Sequence, residues 1–169
     1  MKKLFILTAI LLLPNISFSS SMKSIGKKGD ENKVTRVVVV KMYDNYYEPN
    51  EIKIQKGETI KFIVKNLGEL VHEYNIATKE MHLKHQPEMQ RMVDHQIILA
   101  DKIDKNKMKE MSKKDHAMSH SHSNSLLLEP KTEGVIIWNF ETEVVLEVAC
   151  NVPGHYEAGM VSKIKIINE

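Results

Sequence analysis

Cys150-Asn151-Val152-Pro153-Gly154-His155-Tyr156-Glu157-Ala158-Gly159-Met160 sets a thiol, an imidazole and a thioether at five-residue intervals in one short loop. Cys150 is the only cysteine in the chain. Pro153 and Gly154 turn the backbone so that Cys150 and His155 can point at one centre, and Gly159 lets it fold back toward Met160. Thiolate, imidazole and a weak thioether are three ligands of a type 1 copper centre, which needs one further histidine. His72, in a strand-like run far upstream, can supply it. The plain alternative is a buried, unreactive cysteine beside a surface histidine. An isolated Cys-x4-His pair would favour that alternative. The Pro-Gly turn, the Gly-Met pair and the strand histidine together favour the metal.

Working outward, the loop is held by two strand patterns. Val144, Leu146 and Val148 alternate before it, and Ile164 and Ile166 alternate with Lys163 and Lys165 after it. Val135 to Phe140, with the only tryptophan, Trp138, reads as another strand. Upstream, Val37 to Val40 is a β-branched run expected to be covered on both faces. Ile52 and Ile54 alternate around Lys53, and Ile60, Phe62 and Val64 around Lys61, with Gly57 marking a turn between them. Tyr43 to Pro49 reads as a turn-rich link, and the tyrosines at 43, 46, 47 and 74 as core or rim residues. Leu70 to Ile76 is a short strand with His72, Tyr74 and Ile76 on one parity. About seven short strands separated by turns predict an all-β fold, a small sandwich or barrel.

Residues 77–125 break this pattern. They hold six of the eight histidines and six of the ten methionines, with no aromatic, glycine or cysteine. Lys79 to Ile103 is rich in helix formers, interrupted mainly by Pro87. Asp104 to Asp115 is highly charged, and His116 to Ser125 is a Ser/His tract, expected to be a mobile arm after one or two helices. Met81, His85, Met89 and Met92 share a helix face. That face either packs on the strands, methionine being a good gap filler, or makes an auxiliary site for soft copper(I). The tract with His116, Met118, His120 and His122 is either a loose metal-binding arm or a solvated linker.

The first twenty residues stand apart from the core. Lys2 and Lys3, an apolar run from Leu4 to Leu13, Pro14 and then small residues to Ser21 have the form of a cleavable signal peptide, too short for a membrane span. The expected organisation is a signal at 1–20, a flexible start at 21–33, and one domain at 34–169 carrying the 77–125 insert. The formal charge of +2 includes Lys2 and Lys3, so the exported chain is near neutral. No strongly basic face is implied, which argues against a nucleic-acid partner. A single cysteine in an exported chain signals a reactive thiol, intermolecular pairing or metal ligation, and its neighbours favour metal.

A family resemblance extends this reading. Tyr47-Glu48-Pro49, Ile52, Ile54, Gly57, Ile60, Val64, Asn66 and His72 resemble the first half of a cupredoxin domain. Cys150 to Met160 resembles its ligand loop, as in exported plastocyanin/azurin-like copper proteins, some linked to copper tolerance and carrying a His/Met segment between the first histidine and the tryptophan strand. The resemblance implies a Greek-key β-sandwich with one copper, His72, Cys150 and His155 as equatorial ligands and Met160 as axial ligand. One position departs from it. Many cupredoxins have Asn or Ser directly after the first histidine, where it steadies the loop. Here it is Glu73, and an ionised carboxylate cannot donate a hydrogen bond.

Two functions fit this reading. One is a periplasmic one-electron carrier with a redox partner. The other is a periplasmic copper-resistance protein that binds or buffers copper through this site and the His/Met insert. A copper enzyme fits less well, since such enzymes combine several cupredoxin domains, and a binuclear copper centre needs two cysteines. The expected protein is a non-catalytic monomer.

Overall fold

The computed structural model describes residues 24–167; the expected signal peptide lies outside them. Ten strands form two five-stranded sheets packed face to face. The strands are β1 (Lys27–Lys28), β2 (Arg36–Tyr43), β3 (Tyr46–Glu48), β4 (Glu51–Gln55), β5 (Thr59–Asn66), β6 (His72–Ala77), β7 (Ser125–Leu128), β8 (Glu133–Asn139), β9 (Leu146–Ala149) and β10 (Val161–Ile167). One sheet has the order β1-β8-β5-β2-β3 and the other β4-β10-β9-β6-β7. This is the expected sandwich. The alternating residues of the sequence fill its interior: Ile52 and Ile54, Ile60, Phe62 and Val64, Leu146 and Val148 are all buried.

Three stretches of the sandwich differ from expectation. Residues 24–33, expected to be flexible, dock on the first sheet: β1 pairs with β8, and Trp138 donates its indole N–H to the Ile25 carbonyl. The link at 43–49 is a hairpin, with Asn45 at φ 73° in its turn and β3 returning along β2. Val37 and Val39, expected to be covered, are 54% and 48% exposed, because the described residues leave the outer face of β2 largely uncovered.

The outer face of the second sheet is covered by the insert. Its helices are α1 (Lys79–Asp94), capped by the Thr78 side chain accepting from the Met81 amide, and α2 (Lys105–Ser112), capped by Asp104 accepting from the Lys107 amide. α1 runs through Pro87. Packing outweighs the propensity there, since Met89 and Met92, just beyond it, are fully buried. With Val71, Ile97, Ile98 and Met118 they form a second, smaller core. Consequently β6 is buried at every position. Tyr74 and Ile76 belong to the sandwich core, while Glu73 and Asn75, of opposite parity, bond to groups of the insert and of neighbouring loops.

The Ser/His tract is not a free arm. His116–Ser119 form a 3-10 turn capped by Asp115, Met118 is buried in the second core, and the chain then enters β7. The short run Ser-Leu-Leu-Leu of β7 carries no alternation that would have marked it as a strand.

Candidate metal centre

Cys150 directly follows β9, His155 lies in the ensuing loop, Met160 precedes β10, and His72 opens β6. The sheet makes these neighbours, because β9 lies between β6 and β10. Two backbone hydrogen bonds close the loop on itself: the Cys150 amide donates to the Met160 carbonyl, and the Met160 amide to the His155 carbonyl. Gly154 and Gly159 take φ values of 87° and 90°, left-handed backbone that an L side chain resists.

Three donor atoms converge. Nδ1 of His72 is 3.2 Å from Nδ1 of His155, and Sγ of Cys150 is 3.3 Å from His155 Nδ1 and 3.9 Å from His72 Nδ1. The point equidistant from all three lies about 2.0 Å from each, the length of a bond from a first-row metal to imidazole. Cys150 and His72 are fully buried, and Met160 is buried beside them in the sandwich core. His72, Cys150 and His155 therefore fit a copper ion, and Met160, tied by its backbone to Cys150 and His155, is the thioether that would complete a type 1 donor set.

The surroundings prepare the ligands. The other nitrogen of His72, Nε2, lies 2.9 Å from Asp44 Oδ1, which holds the ring with Nδ1 toward the centre. The Asp44 carboxylate also accepts from the amides of Glu69 and Leu70. Burial pushes its pKa up, but the bond to His72 and those amides prevail, and it lies below the ordinary carboxylate range. Burial lowers the pKa of His72 against the pull of Asp44. Burial and the neighbouring His72 lower that of His155. Both rings are thus neutral, ready to ligate, at neutral pH. Burial raises the Cys150 thiol to about 12.

Glu73 resolves the departure seen in the sequence by reversing the usual roles. Its backbone amide donates to Cys150 Sγ at 3.3 Å. Its carboxylate, fully buried, accepts from both the backbone amide and the side chain of Asn151, the residue after the cysteine. The strand is thus tied to the loop, with the amide donor supplied by the loop. Tyr47 donates its hydroxyl to the Glu73 carbonyl, fixing the same residue from inside the sandwich. Neither Asp44 nor Asn151 stood out in the sequence. Asp44 looked like a turn residue, and its partner is 28 positions away.

The methionine face of α1 divides. Met89 and Met92 pack in the second core, whereas His85 points to Glu73. His120 also reaches Glu73, and its side chain is 3% exposed. His116 is exposed and stands apart from these contacts.

Comparison with known proteins gives the family. A model of the cupredoxin-like domain matches residues 6–102. The copper-resistant cuproprotein CopI of Pseudomonas aeruginosa is 33% identical, over 95% of this chain and 96% of that protein. CopI of Rubrivivax gelatinosus is 30% identical, over 83% of this chain and 72% of its own. Among solved structures, auracyanin B superposes with a TM-score of 0.58 at 13% identity, covering 84% of this chain and 96% of its own. Reduced auracyanin from Roseiflexus castenholzii gives 0.55 at 16% identity, covering 79% and 97%. The chain belongs to the cupredoxin-like family and takes copper as its cofactor, with His72, Cys150, His155 and Met160 as its candidate type 1 site.

Proposed function

We propose that this protein works outside the cytoplasm in copper tolerance, binding one copper through His72, Cys150, His155 and Met160. The observation that carries this is the convergence of three buried donor atoms on one metal-sized point. Relatives named copper-resistant cuproproteins, aligned over nearly the whole chain, support the role. Copper held by a thiolate supplies a one-electron couple. The chain's part is to keep two imidazoles neutral, to anchor His72 through Asp44, and to exclude water from the thiolate. Export rests on the Lys2, Lys3 start and the Leu4 to Leu13 run. No helix among the described residues is long and apolar enough to cross a membrane.

One experiment tests site and role together. In cells lacking the protein, the wild-type chain should restore growth in added copper and purify intensely coloured, by thiolate-to-copper charge transfer. It should begin near Ser19 to Ser21. Cys150→Ala should be colourless and fail to restore growth. Full tolerance conferred by the colourless variant would overturn the role of this centre.

Electron transfer on the same site is the second reading. His155 is half-buried and lines a shallow groove with Leu70, Leu99, Val152 and Pro153, an apolar edge at a ligand of the kind a transient redox partner can meet.

A further inference from the structure

Next to the candidate centre, on the other side of Glu73, a second set of metal-binding side chains converges. His85 of α1 brings Nε2 to 3.1 Å from Glu73 Oε1, and His120 brings Nε2 to 2.8 Å from the same oxygen. The rings of His85, His120 and His122 form a near-equilateral triangle, with centroids 5.5, 5.4 and 5.5 Å apart. Glu88 lies at its outer side, 3.5 Å from His85 Nδ1 and 3.4 Å from His122 Nε2.

A plain network of hydrogen bonds accounts for this cluster poorly. Glu73 Oε1 is approached by His85, His120, the Asn75 amide and the Ser125 hydroxyl. Four donors exceed the two lone pairs of one carboxylate oxygen. Among the described residues the carboxylate has no ion pair with lysine or arginine; its cationic candidates are these imidazoles. His120 is moreover held at φ 46°, ψ 40°, a left-handed conformation that costs a non-glycine residue energy. That conformation follows a 3-10 turn whose Met118 is locked in the second core.

We propose that Glu73, His85 and His120 form a second metal site that binds Cu(II), with His122 and Glu88 as its outer wall. Two imidazoles and a carboxylate, with no sulfur among them, suit a borderline divalent ion rather than copper(I), and among first-row divalent ions such donors bind Cu(II) tightest. One Cu(II) replaces several competing hydrogen-bond donors on Oε1 while Oε2 stays bonded to Asn151. The site adjoins the thiolate centre through a single residue, since the Glu73 amide donates to Cys150 Sγ. It gives the chain a capacity for two copper ions of different oxidation-state preference, which deepens the tolerance reading.

The test uses Cys150→Ala, which lacks the thiolate centre, titrated with Cu(II) alone and read by metal analysis and electron paramagnetic resonance. The expected result is one Cu(II) per chain with nitrogen couplings from imidazole and no thiolate charge-transfer band. Adding His85→Asn, the more exposed of the two histidines, should weaken that copper about tenfold or more. Adding His120→Asn as well should abolish it, with thermal unfolding of the metal-free chains checking that each is folded. Absence of bound Cu(II) in Cys150→Ala, or equal binding in the histidine variants, overturns the proposal. The colour of the wild-type chain reports on the thiolate centre separately, so failure of one site is distinguishable from failure of the other.

Discussion

Burial raises the Cys150 thiol to about 12, so it carries its proton in the metal-free chain, while both candidate histidine ligands are already neutral at neutral pH. Metal binding must displace that proton. The sign follows directly: a group protonated in the free state and deprotonated in the bound state makes binding tighter as pH rises. Between neutrality and the thiol pKa, copper loading should release one proton, and the apparent affinity should rise about tenfold per pH unit. Calorimetry in buffers of different ionisation enthalpy measures the proton count. A pH-independent affinity would mean that copper meets a thiolate already formed. Glu73 works at the same scale. Burial alone would raise its pKa, but the bonds from His120 and His85 hold it well below the carboxylate range, so it remains an acceptor for Asn151.

At the scale of elements, the turn from β5 to β6 positions the first histidine. Asn66 organises it: its side-chain amide donates to the Leu70 and Leu128 carbonyls, and its oxygen accepts from the Gly68 amide. Gly68 is required by proximity rather than by backbone conformation. A methyl group there would overlap Asp44 Oδ1 and press on His72 Nε2. Asp44 cannot swing away cheaply, because the amides of Glu69 and Leu70 hold it. Gly68→Ala should therefore leave the sandwich folded but weaken copper binding by about 10- to 100-fold, the usual cost of losing a bond that orients a ligand. Copper competition against a chelator of known affinity measures this, and an unchanged affinity would show that Asp44 is dispensable for holding His72.

At the scale of the molecule, two cores share one sheet. The sandwich core forms between the sheets, and the second lies beneath the insert, against Val71 just before β6, Leu127 of β7 and Val152 of the loop. Burial of Met89 and Met92 stabilises the insert by roughly 1.5–3 kcal/mol each. Met92→Ala should cost about 2–5 kcal/mol through lost contacts and the cavity left behind. Since Met92 belongs to the second core, and Cys150 and Met160 to the sandwich core, the loss should fall on the insert first. Hydrogen exchange should then show α1 amides opening while those of β5 and β8 stay protected. Uniform loss of protection across both cores would mean that they unfold as one unit.

The sequence by itself determined the sandwich and the identities of the candidate copper ligands. Both are written locally: period-two alternation marks a half-buried strand, and Cys150, His155 and Met160 occupy one loop whose glycines and proline dictate its turns. Tertiary structure decided what surrounds them. Asp44 meets His72 across 28 residues, from the β2–β3 turn of one sheet to the first residue of β6 in the other, and Asn151 meets Glu73 across 78, through the pairing of β6 with β9; no periodicity records either, because packing of the sheets and their strand order bring those positions together. The same holds for His85 and His120. In the chain they lie in a helix pattern and a serine-rich tract, but the insert folds over the second sheet and turns both onto one buried carboxylate. An exposed valine face on β2 and a fully buried β6 follow from that one-sided cover, because the apolar demand of a strand is set by what packs against each face.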